Sequence, residues 1–162
     1  MATVKNIDPL PLVRRKWAEL SYTPEGREQF SRLVGKLAPY TDSVGATITV
    51  MRPGYAEGLM PDVPAVGNHI GSLHAGAQWV FAEEIAGLAF VASLPDGMQF
   101  VVAGAMIDYD APAHGRIVAK AWSPTPIPGI RKTYRVAVEL YDEHGTLLTG
   151  AVFRYRTIPN EA

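Results

Sequence analysis

The spacing of apolar residues near the N-terminus predicts two amphipathic helices. The first is indicated by apolar residues three or four positions apart, at Leu10, Val13, Trp17 and Leu20. Thr23 and Pro24 then form a typical helix start, an N-cap hydroxyl followed by proline at the first helical position. The second helix has its apolar stripe at Phe30, Leu33, Val34 and Leu37, and we expect Pro39 to end it.

Six later segments have the composition of β-strands. Residues 46–52 are rich in β-branched side chains and precede a Pro-Gly turn, so residues 55–60 could pair back as a hairpin. Four further runs lie at 98–109, 116–122, 131–141 and 147–157. Because residues 98–107 are almost continuously apolar, we expect a central strand covered on both faces. The later runs alternate apolar and polar residues, which is typical of strands with one buried face.

Residues 73–88 are apolar nearly all round, which predicts an enclosed helix rather than a surface helix. The order is helices, two strands, one buried helix, then four strands. This order predicts an α+β fold in which an antiparallel sheet wraps around a central buried helix, with extra N-terminal helices. We assign residues 1–40 to a helical extension and residues 41–162 to the main domain.

Composition narrows the class of protein. The chain has 162 residues, 48% of them hydrophobic, which suffices for one domain with a core. It has no cysteine, which excludes disulfides, thiolate catalysis and cysteine-ligated metals. The net charge of −1 argues against a nucleic-acid or anionic-membrane surface.

No segment predicts a membrane span or a leader. The longest apolar stretch, residues 75–94, carries Glu83 and Glu84 near its middle, which would be costly in a bilayer. Residues 1–20 lack a basic start followed by an apolar run. We therefore expect a cytoplasmic protein.

The distribution of charge is uneven. No Lys or Arg occurs between residues 53 and 115, whereas seven acids do: Glu57, Asp62, Glu83, Glu84, Asp96, Asp108 and Asp110. The simplest interpretation is that this middle segment is the core, where basic residues are rarely buried. Acids within such a segment are stronger functional candidates than average acids, because burying charge is costly.

The densest group of reactive residues lies where a loop enters the buried helix, at residues 68–77. Free backbone N–H groups at a helix start, next to small residues such as Ala75 and Gly76, could form an oxyanion hole. Glu83 follows Gly76 by two turns on nearly the same face, so it is a candidate base or nucleophile. Equally, the small residues could serve close packing and His74 could merely cap the helix. Glu84 is about 100° away from Glu83, so we expect only one of the two to face the site and the other to be partly solvated.

The layout resembles the hotdog-fold acyl-CoA thioesterases, in particular the small bacterial branch and its related uncharacterised domains. That family has an Asn, then six residues later a His-Gly-Gly, then a carboxylate nine residues after the His. Here Asn68, His74 and Glu83 have this spacing. Residues 52–55, residues 107–113 and the late hairpin around Asp142 and Gly145 are also similar. The resemblance covers roughly residues 44–157.

The resemblance implies a mechanism of thioester hydrolysis. Glu83 would be the base or the nucleophile. The N–H of Ala75, beside Gly76, would polarise the thioester carbonyl. Asn68 would orient water or the carbonyl, and His74 would shape the loop or contact the thioester. It also implies an active site shared between subunits, hence a homodimer or homotetramer, with acyl-CoA as substrate and no cofactor or metal. Coenzyme A would be present only as part of the substrate.

Binding residues for such a substrate can also be suggested. An acyl tunnel could be lined by Trp79, Phe81 and Met106, although each is equally a simple core residue. Coenzyme A phosphates need cations, and the candidates nearest to strand starts are Arg116, Arg131 and Lys132, unless these are only solvated strand ends.

Other functions stay open. Ala75 stands where the family usually has Gly, and residues 101–107 contain no hydroxyl, which favours a non-catalytic acyl-ligand-binding hotdog protein. A hotdog hydratase is less favoured because no Asp lies beside His69 or His74. A transcriptional regulator would need a DNA-binding appendage, and residues 1–40 contain no convincing recognition helix.

Overall fold

The computed structural model describes residues 9–160, so the first eight residues of the predicted N-terminal extension, and of the segment in which no leader was expected, lie outside it. The helices are α1 (Leu10–Leu20), α2 (Pro24–Leu37), α3 (Pro39–Asp42) and α4 (Ala75–Ser93). The strands are β1 (Thr47–Arg52), β2 (Tyr55–Met60), β3 (Met98–Tyr109), β4 (Ile117–Trp122), β5 (Thr133–Tyr141) and β6 (Leu147–Pro159). A short 3₁₀ turn spans Pro64–Val66.

The predicted start of the second helix is confirmed. The Thr23 backbone is extended and its hydroxyl accepts a hydrogen bond from the Gly26 N–H at 3.0 Å, which satisfies one of the free amides of the first turn. The helix ends at Leu37, and Pro39 begins the short helix α3.

The predicted α+β architecture is confirmed. The six strands form one antiparallel sheet in the order β1-β2-β4-β5-β6-β3, and α4 packs against β1, β2, β4, β5 and β6. Phe81, Ile85 and Phe90 of α4 are fully buried against the inward side chains of the strands. The helix is apolar on every side because it is enclosed, as the sequence predicts.

The expectation that residues 98–107 form a central strand is wrong, because β3 lies at the edge of the sheet. Val101, Val102 and Met106 are 49%, 47% and 62% exposed. An apolar run shows that both faces of a strand carry apolar side chains, but it does not show whether the strand lies at the centre or at the edge of the sheet. A bulge between Val102 and Gly104 further hides the alternation, because it reverses which side chains face the helix. The outcome is a long apolar strand with one unpaired edge among the described residues.

The N-terminal helices pack into the same core as the sheet. Arg14 of α1 donates hydrogen bonds to the carbonyls of Val91 (3.4 Å) and Leu94 (3.1 Å) and forms an ion pair with Asp96, so it caps the carboxyl end of α4. Trp17 packs edge-on against Phe30, with ring centroids 5.0 Å apart. None of the helices within residues 9–160 is long and apolar enough to cross a membrane.

Candidate functional site

The loop before α4 is built around Asn68. Its Oδ1 accepts hydrogen bonds from the N–H groups of Ile70 and Ser72, both at 3.0 Å, and its Nδ2 donates to the Ser72 hydroxyl at 2.8 Å. Both polar atoms of the side chain are thus engaged inside the loop. The geometry makes Asn68 a loop-building residue, and its role in orienting water or a carbonyl stays a prediction.

His74 caps α4. Its backbone is extended, and its Nδ1 accepts a hydrogen bond from the Gly76 N–H at 2.8 Å, which requires that this nitrogen carry no proton. The capping role that the sequence left open is therefore present. The Gly76 N–H is therefore occupied by the His74 ring. The backbone N–H of Ala75, an exposed residue that directly follows His74, has no hydrogen-bond partner among the described residues.

Further contacts hold this loop against the body of the protein. The Leu73 N–H donates to the Ala113 carbonyl and the His74 N–H to the Val66 carbonyl, both at 2.8 Å. The Tyr109 hydroxyl, at the end of β3, donates to the Ala75 carbonyl at 3.0 Å. These bonds position the start of α4 relative to the edge strand.

Gln78 is a residue of this site that the sequence analysis did not identify. It is 4% exposed, its Nε2 donates to the Leu73 carbonyl at 3.3 Å, and its Oε1 accepts from the Thr149 hydroxyl at 2.6 Å. The available signal was a polar residue in an otherwise apolar buried helix, since such a residue needs a buried partner. The pair ties the first turn of α4 to β6.

Glu83 and Glu84 line the same cavity, which has a volume of about 280 Å³. The expectation that only one of them faces the site is wrong. The cavity extends across two faces of α4, because α1, α2 and α3 line one side of it and β3 and β6 line the other. Neighbouring helix positions can therefore both reach it.

Glu84 has an unusual environment. Its Oε2 is buried and has no hydrogen-bond partner within residues 9–160. Burial raises the pKa of the Glu84 carboxyl to about 8, and the nearby Asp42 carboxylate raises it further in the same direction. The Glu84 side chain is accordingly protonated and neutral at pH 7.

The loop and the carboxylates of one chain do not meet. Ala75 and Glu83 are eight residues apart on α4, which corresponds to about 12 Å along the helix axis. His74 and Gly76 line a separate pocket with Tyr40 and Val66 at the helix start. A single chain therefore places the free amide and the Glu83 carboxylate too far apart to act on one carbonyl.

The predicted acyl-tunnel residues are dispersed. Phe81 is fully buried in the core, Trp79 packs edge-on against Phe153 at 5.4 Å, and Met106 lies on the exposed edge strand. None of the three lines the cavity at Glu83 and Glu84.

The predicted phosphate-binding cations are exposed and lie outside that cavity. Arg116 forms an ion pair with Glu143 at 3.1 Å. The Lys132 ammonium lies 5.5 Å from the centroid of the Tyr134 ring, and Arg131 forms no ion pair within residues 9–160. Over the same residues no group of three or more His, Asp or Glu side chains is placed to hold a metal ion.

Solved structures with the same fold include several thioesterases. A structural-genomics protein is 27% identical over 94% of this chain and 99% of its own, with a TM-score of 0.79. A Pseudomonas aeruginosa protein of unknown function, described as a probable thioesterase, is 24% identical over 82% of this chain and 95% of its own, with a TM-score of 0.72. A Haemophilus influenzae thioesterase is 21% identical over 85% and 92% of the two chains, with a TM-score of 0.68.

The last two structures establish similarity of fold alone, since their sequence identities to this chain are 24% and 21%. A comparison with curated proteins found no match. The model of one family, described as a domain of unknown function, matches residues 26–156, which is most of the chain. The protein therefore has the hotdog fold of the thioesterase-family structures and belongs to the DUF4442 family.

Proposed function

We propose that this protein hydrolyses acyl thioesters of coenzyme A or of an acyl carrier, with Glu83 as the base or nucleophile. The observation that carries the proposal is the half-buried Glu83 side chain on the wall of an apolar cavity beside the central helix. Such a cavity can exclude water around an acyl chain and strengthen the electrostatic interactions of the carboxylate. The thioesterase names of several structural neighbours support the same reaction class.

The difference between the two neighbouring acids supports the assignment to Glu83. A general base or nucleophile must be ionised at the working pH. Burial keeps Glu84 protonated at neutral pH, so it cannot accept a proton there. Glu83 is the carboxylate that remains for this role.

The reaction requires a second copy of the chain. The Ala75 amide of the same chain is about 12 Å from Glu83 along the helix axis, whereas catalytic hydrogen bonds act at about 3 Å. The unpaired apolar edge of β3 offers a surface for self-association, since an exposed strand edge of this length is a template for pairing with another strand. We propose a homodimer, or a homotetramer built from dimers, in which the loop of one copy faces Glu83 of the other.

In this arrangement the Ala75 N–H would donate a hydrogen bond to the thioester oxygen as negative charge develops on it. Glu83 would either take a proton from a water that attacks the carbonyl carbon or attack that carbon itself. The carbon–sulfur bond breaks, the thiol leaves with a proton, and water supplies the oxygen of the released acid. His74 and Asn68 would be positioning residues, because they hold the loop that presents the amide.

The carrier would be bound outside the cavity. Arg131 and Lys132 are exposed and could contact coenzyme A phosphates directly. Arg116 would first have to exchange its contact with Glu143 for a phosphate.

A non-catalytic acyl-binding protein is the second candidate. It is favoured by the methyl group of Ala75 at the family's glycine position and by the absence of a hydroxyl from residues 101–107. Such a protein would bind acyl chains in the same cavity without releasing a thiol.

The test is thiol release from short, medium, long and aromatic acyl-CoAs by the unmodified protein, Glu83→Gln and Glu28→Gln. Glu28 is an exposed residue of α2, so it receives the same chemical change away from the site. We expect Glu83→Gln to lower kcat/KM by at least about 100-fold, as expected for loss of a general base, and Glu28→Gln to leave it unchanged. Equal rates for all three proteins, or binding of acyl chains without turnover, would contradict the catalytic proposal.

A further inference from the structure

The N-terminal helices form one side of the open cavity at Glu83 and Glu84. Its apolar walls come from α1, α2, α4 and β3, through Val13, Val34, Leu88, Val91 and Phe100. Its volume of about 280 Å³ lies near the lower end for ligand pockets, so we consider an acyl chain of medium length as its occupant.

Glu84 is a polar residue of this cavity whose buried Oε2 has no hydrogen-bond partner among residues 9–160. The charged and titratable groups around it are Glu83 on its own helix, Asp42 on α3 and Tyr155 on β6. The Tyr155 hydroxyl donates to the backbone carbonyl of Glu83 at 3.3 Å. Among the described residues that line the cavity there is no Lys, Arg or His, so no cation compensates Glu84.

The chemistry of this environment determines what Glu84 can offer a ligand. A buried carboxyl without a cation is stable only as the neutral acid, and a neutral acid has one O–H to donate. Its buried Oε2 has no hydrogen-bond partner in the part of the chain that the structure describes. An acyl chain in the cavity would therefore meet the Glu84 carboxyl as a donor, on a wall whose other polar residues are Thr41, Glu83 and Tyr155.

Resting on the thioester hydrolysis proposed above, we propose that Glu84 determines substrate specificity by donating a hydrogen bond to a keto oxygen on the acyl chain. Glu83 and Glu84 both line this cavity, so we place this oxygen on the part of the acyl chain nearest to the thioester. A keto oxygen accepts hydrogen bonds and cannot donate them, which matches a neutral carboxyl. The class of substrate is a medium-chain acyl thioester with a keto group near the thioester, such as a 3-oxoacyl chain.

Matched substrates test this assignment. The kcat/KM values for 3-oxooctanoyl-CoA and octanoyl-CoA are compared in the unmodified protein, Glu84→Gln and Glu84→Met. Glutamine keeps a donor that cannot ionise, whereas methionine fills a similar space without one. We expect about a tenfold preference for the 3-oxo chain in the unmodified protein and in Glu84→Gln, as one hydrogen bond provides, and no preference in Glu84→Met.

The pH profile distinguishes a specificity role from a structural role. The pKa of Glu84 is raised to about 8, so its proton is present below that pH and is lost as pH rises through it. We expect the preference of the unmodified protein to decline between pH 7 and 9, and that of Glu84→Gln to remain constant. The proposal would be overturned if Glu84→Met kept the preference for the 3-oxo chain. It would also be overturned if the preference were independent of pH in the unmodified protein as well as in Glu84→Gln.

Binding separates this proposal from the proposed hydrolysis. Calorimetry with thioether analogues of the two substrates, in which the thioester carbonyl is replaced by methylene, requires no turnover. If the unmodified protein releases no thiol but prefers the 3-oxo analogue, hydrolysis fails and the role of Glu84 stands. If it hydrolyses both substrates at equal kcat/KM and binds both analogues equally, the role of Glu84 fails and hydrolysis stands.

Discussion

Replacing Thr149 with valine should destabilise the protein by orphaning the side-chain oxygen of Gln78. Thr149 is fully buried, and its hydroxyl is the donor to the Gln78 Oε1 at 2.6 Å. Valine has nearly the same shape, so little packing is lost, but a buried acceptor loses its partner. Such a loss costs about 2 kcal/mol, which lowers the melting temperature of a domain of this size by about 6 °C.

A double-mutant cycle measures this contribution. Thermal and denaturant unfolding are compared for Thr149→Val, Gln78→Met and the combined variant, with Thr149→Ser as the control that keeps the hydroxyl. We expect the combined variant to be more stable than the sum of the two single effects predicts, by about 1–2 kcal/mol, because neither the Gln78 oxygen nor the Thr149 hydroxyl is then left buried without the other. Strictly additive effects, or a Thr149→Ser variant as unstable as Thr149→Val, would refute the role of this bond in holding the start of α4.

Two further variants test the helix cap and the sheet edge. Thr23→Ala removes the cap of α2 and should lower the free energy of unfolding by about 1 kcal/mol, whereas Thr23→Ser should keep most of the stability that the cap provides. Equal losses for the two variants in a denaturant titration would argue against the cap. Val102→Lys places a charge on the exposed edge of β3 and should abolish self-association measured by light scattering, since charged edges resist pairing. An oligomer that persists in this variant would place the contact between copies elsewhere.

The strand segments could largely be predicted from the sequence because alternation and turn residues are local signals. The expected runs at 55–60 and 98–109 coincide with β2 and β3, and the other runs differ by one or two residues at their ends. The central helix begins at Ala75 rather than at residue 73, because His74 serves as its cap. The edge position of β3 could not be predicted, since strand order depends on pairing between distant segments that an apolar run does not specify.

The candidate site was only partly accessible from the sequence. Spacing placed Glu83 on the central helix and His74 at its start, and both lie there. The neutral state of Glu84 depends on burial beneath α1, α2 and α3, which no local pattern reports. The dispersal of Trp79, Phe81 and Met106 has the same origin, because apolar residue type alone does not tell a core position from a cavity wall.

A site shared between two copies can be tested directly by complementation. Ala75→Pro removes the unpartnered amide while proline remains acceptable at the first helical position, and His74 already has the extended backbone that precedes proline. Chains carrying either Glu83→Gln or Ala75→Pro are assayed alone and after mixing and reassembly, by thiol release from acyl-CoA.

Each variant alone should be nearly inactive. The 1:1 mixture should recover about a quarter of the unmodified activity, because half of the symmetric dimers are mixed and each of those has one intact site. A mixture no more active than the separate variants, or a Glu83→Gln chain as active as the unmodified protein, would contradict a shared site that uses Glu83.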